Sequence, residues 1–196
     1  MIPPPPHRLP RTLRLDPSDT VVFERAAEPG EWAVPGGFCF WDEDPEAMPG
    51  KRRQAFRAGF LGLGRFGWST LVEVAEAGAA ERAAAVAALA AHLRAHYGAP
   101  DEAAARAAAE EEVAFAESLC AGHAPGTVLA LSRALDEAGA LRERFRTLSR
   151  RAEGAHRDFG TLPVFGVAAV EGEEEEEAAP PERPDLAALA RGGTAP

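Results

Sequence analysis

Apolar and polar residues alternate in several short segments of the N-terminal half of the chain. "RTLRL" at 11–15 alternates as a strand does, and "TVVFERA" at 20–26 predicts a second strand after the turn residues at 16–19. The apolar run "EWAVPGGFCFW" at 31–41 predicts two short strands, or one strand with a glycine bulge. "WSTLVEVAEA" at 68–77 alternates again, so this half is predicted to be rich in strands.

Other segments carry apolar residues at helical spacing. In 81–97 and in 101–120 they recur every three or four residues, with Gly98 as a stop between the two. We expect these two segments to form an αα-hairpin. A shorter helix is predicted within 51–63, and 44–46 resembles the cap and first turn of another.

The segment 127–150 has two interpretations. It fits a hairpin with strands 128–135 and 141–148, and its leucines also fit one helix tolerably; we favour the hairpin. "PVFGVAAVEG" at 163–172 predicts a closing strand. Strands before and after a helical block indicate an α+β fold, with a mostly antiparallel sheet packed against the αα-hairpin and one short helix in the N-terminal half.

Composition divides the 196 residues into three parts. Residues 1–10 carry five prolines and are predicted to form a disordered arm. The acidic segment 172–196 is predicted to form a disordered tail. The remaining 11–171 is predicted to be a single domain. The net charge of −10 is uneven, since residues 171–196 hold eight acidic and two basic side chains.

The charge and hydropathy of the chain exclude some functional classes. Residues 1–170 carry a net charge of only −4, which argues against nucleic-acid binding through phosphate neutralisation. No apolar run is long enough for a membrane helix, and the N-terminus has no apolar core of a secretory signal. We therefore expect a cytoplasmic protein that binds neither nucleic acid nor membrane.

Residues 62–67 read Gly-Leu-Gly-Arg-Phe-Gly, which matches the dinucleotide-binding pattern G-x-G-x-x-G. That motif needs a strand before the glycines and a helix after them, because the N-terminus of the helix binds the pyrophosphate. Here a helical pattern precedes the glycines and a strand pattern follows. The segment is therefore predicted to be a turn, and no cofactor is predicted.

Two pairs of residues have the right type for a metal site. His92 and His96 are four apart on a predicted helix, but a third ligand is not evident. Asp42 and Asp44 lie in an acidic loop that lacks the EF-hand spacing. Exposed helix histidines and a helix cap are the favoured interpretations, and no metal is predicted.

Neither cysteine is predicted to act as a nucleophile. Cys39 lies among aromatic residues and resembles a small core residue. Cys120 and His123 form C-x-x-H, but Cys120 ends a predicted helix, where the negative end of the dipole disfavours a thiolate.

Two basic clusters are candidate binding sites. Lys51, Arg52 and Arg53 lie where a helix is expected to begin, and an anion there would relieve their conflict with the helix dipole. If 141–148 is a strand, three arginines project from one of its faces, which must meet water or an acidic partner. These three are Arg142, Arg144 and Arg146.

Tryptophans supply the aromatic anchors that protein interfaces favour. Trp32 and Trp41 are the candidates for such a role, and Trp68 is assigned to the core.

The phrases "RTLRLDPSDTVVFERAAEPGEWAVPGGFCFW", "RQAFRAGFLGLGRFGWSTLVEVAEA" and "EEEVAFAESLC" resemble a family of short bacterial proteins, mainly alphaproteobacterial, defined as a conserved domain of unknown function. The resemblance covers about residues 11–172. It implies an accessory setting in metabolism and supplies no catalytic residues.

Together these observations predict a non-enzymatic accessory protein of bacterial metabolism that binds another protein. The alternative is an enzyme or carrier of a small anionic ligand, a phosphate or a carboxylate, held by Lys51–Arg53.

Overall fold

The computed structural model describes residues 6–148. These residues contain seven strands: β1 His7–Leu13, β2 Ala33–Val34, β3 Phe60–Gly62, β4 Trp68–Ser69, β5 Leu71–Ala77, β6 Val128–Leu135 and β7 Leu141–Leu148. The helices are α1 Ser18–Val22, α2 Gly50–Ala58, α3 Ala79–His96 and α4 Glu102–Cys120, with a 3-10 turn at Gly37–Phe40. The predicted closing strand at 163–172 and the acidic tail lie outside the described residues.

The α+β class is confirmed, but the strands form two antiparallel sheets and not one. The larger sheet has the order β1-β5-β6-β7, and the smaller has the order β2-β3-β4. Apolar side chains of both sheets, with Phe60, Val72 and Leu129 among them, form one cluster of the core. A second cluster contains the inner faces of α3 and α4.

The αα-hairpin is confirmed within two residues of its predicted bounds. α4 begins at a cap, because the Asp101 carboxylate accepts a hydrogen bond from Ala104 N at 2.8 Å. Gly98, with a φ of 69°, lies in the turn between the two helices. Val86 and Leu89 of α3 are fully buried, as is Val113 of α4, so packing of the apolar stripes stabilises the pair.

The segment 127–150 contains the hairpin and not the helix. β6 and β7 pair from Val128 opposite Leu148 to Leu135 opposite Leu141. Asp136 shapes the turn, because its Oδ1 accepts hydrogen bonds from Ala138 N at 3.0 Å and Ala140 N at 2.8 Å. This side chain favours the reversal over continuation of a helix.

The first strand begins earlier than its sequence suggests. β1 starts at His7, so residues 7–10, assigned above to the proline-rich arm, belong to the larger sheet. Pro10 pairs with Val74 and is fully buried. A proline fits there because, among the described strands, β1 is an edge of its sheet, and edge strands need fewer backbone donors.

Two further local predictions were wrong. The strand expected at 20–26 is replaced by α1 and an irregular segment, because Asp19 turns inward and its Oδ1 accepts a hydrogen bond from Thr70 Oγ1 at 2.6 Å. The expected helix start at 44–46 is a turn, in which Asp44 Oδ1 accepts from Glu46 N at 2.9 Å. The helix of the 51–63 pattern ends at Ala58, and Phe60 already belongs to β3.

One arginine of β6 connects several parts of the fold. The Arg133 side chain is fully buried, and its Nε donates to Glu143 of β7 at 2.5 Å. Its Nη1 donates to the carbonyl oxygens of Phe56 and Gly59 at the end of α2, both at 2.9 Å, and its Nη2 donates to Pro35 O. A cation at this position satisfies carbonyls that the end of a helix leaves free.

Candidate functional site

The glycine-rich segment is the turn of a β-hairpin. β3 enters it and β4 leaves it, so the expectation that a helix enters directly was wrong, whereas the expectation that a strand leaves was right. Gly62 N donates to Gly67 O at 2.9 Å across the turn. Since no helix follows Gly67, the geometry of a dinucleotide site is not formed.

A carboxylate of the protein occupies the backbone donors of this turn. Glu31 Oε2 accepts hydrogen bonds from Gly64 N at 2.8 Å and Arg65 N at 3.0 Å. A Cβ on Gly62 would approach that carboxylate to 2.6 Å, and one on Gly67 would lie 2.5 Å from the backbone of Ala26. The glycines therefore serve close packing and not a phosphate.

Both thiols are buried and protonated at neutral pH. Burial raises the pKa of Cys39 to about 12 and that of Cys120 to about 12, with the charge of Glu117 adding to the second shift. Cys120 and His123 are joined only by the backbone, His123 N donating to Cys120 O at 3.2 Å. Neither thiol has the environment of an activated nucleophile.

The basic start of α2 is held by acceptors of the protein itself. Arg52 Nε donates to the two carboxylate oxygens of Glu43 at 3.0 and 3.2 Å, and its Nη2 donates to Cys39 O at 2.7 Å. Arg53 Nη2 donates to two main-chain carbonyl oxygens of the preceding loop at 2.7 and 2.9 Å. Lys51 is exposed. Arg52 and Arg53 are thus oriented by the acidic loop, and the three cations do not converge on one point.

A cleft of about 590 Å³ opens beside Arg52, between the loop after the 3-10 turn and the end of α3. Its size falls within the range of small-molecule sites. Residues from five separated segments line it, including Arg25, Trp41, Arg52, Phe66, His92 and His96.

Aromatic rings form one wall of the cleft. Phe66 and His92 stack with their centroids 3.6 Å apart and their planes within 4°. His96 lies 4.7 Å from His92, and Tyr97 lies 5.5 Å from it, between ring centroids. Trp41, with 37% of its surface exposed, also lines the cleft.

The His92 imidazole is neutral at physiological pH. Burial, together with the charges of His96 and Arg25, lowers its pKa to about 4. A neutral ring offers one hydrogen-bond donor and one acceptor. Among residues 6–148 no group of three or more His, Cys, Asp or Glu side chains is placed to hold a metal ion, so His92, His96, Asp42 and Asp44 complete no such set.

The arginines of β7 form a second candidate site, as their spacing predicts. Arg142, Arg144 and Arg146 are exposed on one face of the strand. Arg142 Nε donates to Asp136 Oδ2 at 2.8 Å. Within the described part of the chain, neither Arg144 nor Arg146 has a hydrogen-bond or ion-pair partner. We call these three side chains the arginine row.

The three tryptophans differ in environment. Trp68 is buried, as expected for a core residue, and Trp32 packs partly buried against the same apolar cluster. Of the two proposed anchors, Trp41 is the more accessible, and it belongs to the cleft.

Comparison with family models shows to which family the chain belongs. A model for a family of unknown function, DUF6505, matches residues 7–173. The chain belongs to this family. A comparison with curated proteins gave no significant match, and a comparison with solved structures gave none either. The DUF6505 domain therefore spans every described element, and the resemblance noted in the sequence is confirmed; the alphaproteobacterial origin stays a prediction.

Several cleft residues of this DUF6505 member escaped the sequence analysis. Arg25 and Phe66 lie in separate loops, and Tyr97 ends α3 as part of its apolar stripe. A local pattern marks none of them, because the fold brings them together from distant parts of the chain.

None of the helices between residues 6 and 148 is long and apolar enough to cross a bilayer.

Proposed function

We propose that this protein is a non-enzymatic accessory protein of bacterial metabolism that acts in the cytoplasm by binding another protein. The observation that supports this most strongly is the arginine row, which lies exposed on an edge strand. We infer that the partner presents an acidic, extended segment to this strand.

The surface around the row leaves the guanidinium groups accessible. The residues opposite them on β6 are small, with Ser132 facing Arg144 and Ala134 facing Arg142. Both of these β6 residues are exposed. A ligand approaching this face therefore meets three long cationic side chains beside small residues of β6.

Charge and backbone both favour an acidic strand as the occupant. Alternate residues of a strand lie roughly 6–7 Å apart on one face, so alternate carboxylates of an added strand would match the spacing of the row. Arginine pairs well with carboxylates because its planar donors bind both oxygens. β7 is an edge among the described strands, so its outer backbone groups can pair with an added strand.

Binding, and not catalysis, is supported by the state of the candidate reactive groups. Cys39 and Cys120 are protonated, and the glycine turn is occupied by Glu31. The two thiols and Glu31 therefore contribute to the fold. The exposed arginines of β7, in contrast, are accessible to a partner.

The test uses the full-length protein and a fluorescent synthetic peptide of about eight residues that alternates Glu with Val, with a Lys–Val peptide for comparison. We expect fluorescence anisotropy to detect binding of the acidic peptide alone, and binding should weaken steeply as salt rises. The triple variant R142E/R144E/R146E should abolish it.

A matched control keeps the same change of net charge away from β7. The variant R57E/R94E/R106E reverses three exposed arginines on helices, and it should bind the acidic peptide almost as the wild type does. Equal loss in both triples, or no loss in the β7 triple, would refute the proposed site. If the β7 triple does not fold, the R142K/R144K/R146K variant replaces it. That variant should stay soluble and bind more weakly, since lysine lacks the bidentate geometry.

A further inference from the structure

The cleft beside α2 is a second site, independent of the arginine row, and its chemistry points to a small molecule. Its volume of about 590 Å³ suits a ligand of two or three fused or linked rings. Its lining combines a few polar groups with several aromatic rings, as small-molecule sites do.

Arg52 lines the cleft, and its guanidinium is held in place before any ligand arrives. Glu43 and the Cys39 carbonyl accept hydrogen bonds from its Nε and Nη2. The guanidinium carbon also lies 4.4 Å from the centroid of the Phe40 ring. Such fixation removes part of the conformational entropy that binding would otherwise cost.

One edge of this guanidinium stays available. Its side chain is 27% exposed, and no described residue accepts a hydrogen bond from Nη1. Arg25, a second cation, lines the same cleft, as do the carboxylates of Asp42 and Glu43. Glu43 is paired with Arg52, and the charge of Arg25 offsets that of Asp42, so an acidic group on a ligand can still reach a pre-oriented charged donor.

The aromatic lining of the cleft favours a flat ring. The stacked pair of Phe66 and His92 presents aromatic surface, and Trp41 adds a partly exposed ring. The His92 imidazole is neutral, so it does not repel an apolar ring and retains one donor and one acceptor.

We propose that the cleft binds a small aromatic or heteroaromatic acid, with the acidic group on Arg52 Nη1 and the ring between Trp41 and the Phe66–His92 wall. This assignment replaces the anion site expected from Lys51–Arg53 by one in which only Arg52 of the three takes part.

Isothermal titration calorimetry with three matched compounds tests each half of the proposal. We expect 2-naphthoate to bind, and 2-naphthamide, which lacks the charge, to bind at least tenfold more weakly. Decahydronaphthalene-2-carboxylate, which lacks the aromatic ring, should also bind at least tenfold more weakly. 2-Naphthyl phosphate then shows whether the site prefers a carboxylate or a phosphate.

Variants connect the binding to the named residues. Arg52→Gln should weaken 2-naphthoate at least tenfold and remove the preference over the amide, whereas Arg53→Gln, on the same helix but outside the cleft, should change the dissociation constant less than twofold. If Arg52→Gln does not fold, Trp41→Leu carries the test, and Trp32→Leu is its control. Absence of 2-naphthoate binding at millimolar concentration, equal binding of acid and amide, or equal effects of Arg52→Gln and Arg53→Gln would overturn the proposal.

Discussion

Two groups of arginines occupy opposite environments in this protein. Arg133 is buried, and it donates hydrogen bonds to Glu143 and to the carbonyl oxygens around the end of α2. Arg52 is half-buried and is held by Glu43. The arginine row on β7 is exposed, and among the described residues Asp136 is the carboxylate that pairs with it. The chain binds the donors of Arg133 and those of Arg52 except Nη1, whereas Arg144 and Arg146 have no described partner. The more of its donors a guanidinium has bound within the fold, the more its loss should cost in stability, and substitutions can test this.

The largest expected effect is at Arg133. Replacing it with Met removes the charge but leaves Glu143 and the helix-end carbonyls without their donor, so the free energy of unfolding should fall by about 3–5 kcal/mol. Urea denaturation monitored by circular dichroism measures this. Arg144→Met, the same change on the exposed side, should stay within about 0.5 kcal/mol of the wild type. Similar losses for both variants would contradict the comparison.

Arg52 should show an intermediate effect. Its pair with Glu43 is partly exposed, at 27% and 33% for the two side chains, so screening reduces its contribution. We expect Arg52→Gln to lower the free energy of unfolding by about 1–2 kcal/mol, chiefly through the lost hydrogen bonds. Lys51→Gln, at the exposed neighbouring position, serves as control and should be close to neutral in the same urea experiment.

His92 lies inside the fold, and no described acidic residue stabilises its charged form. Its pKa is lowered from the usual value near 6.5 to about 4, so the unfolded chain binds the proton more tightly. The stability from His92 is therefore fully present above pH 6.5 and is lost as pH falls towards 4. Allowing for screening of a half-buried ring, we expect a loss of about 1 kcal/mol. Thermal unfolding from pH 7 to 4 measures the loss, and His92→Phe should flatten that part of the profile. A wild-type profile that His92→Phe leaves unchanged would contradict this assignment.

The smallest expected effect is within the arginine row itself. Arg144→Glu places an anion between two cations on one face, which should raise the free energy of unfolding by about 0.2–0.5 kcal/mol at low ionic strength. The gain should vanish in 1 M salt, where the Debye length is about 3 Å. Arg144→Gln removes the repulsion without adding attraction and should gain less. A gain that persists in high salt would show that packing, and not charge, is responsible.

The long periodic elements could be predicted from the sequence because their signals are local. The apolar stripes of 81–97 and 101–120 and the alternation of 141–148 are set by helix and strand geometry alone. Outward projection of the arginine row followed from the same alternation. Short elements were harder, as at Val21 and Val22, where β-branched residues indicate a strand but Asp19 and its distant partner Thr70 impose a helical turn.

Contacts between distant segments, on which the cleft also depends, could not be predicted, for a related reason. Phe60 follows Phe56 at helical spacing and yet lies in a strand, because the chain changes from α2 to β3 within two residues. Glu31 gives no local sign that it binds the glycine turn more than thirty positions later. Sites assembled by tertiary contacts need the topology first, and the pattern of a single sequence does not specify it.

The pairing of β1 with β5 has a consequence for synthesis on the ribosome. His7 lies opposite Ala77, so the first strand emerges long before the strand with which it pairs. Until then, Leu9 and its apolar neighbours have no sheet to join, and the nascent chain exposes them to chaperones and proteases. Pairing of β1 is thereby delayed until Ala77 has been made, and loop closure over this distance should make it slow.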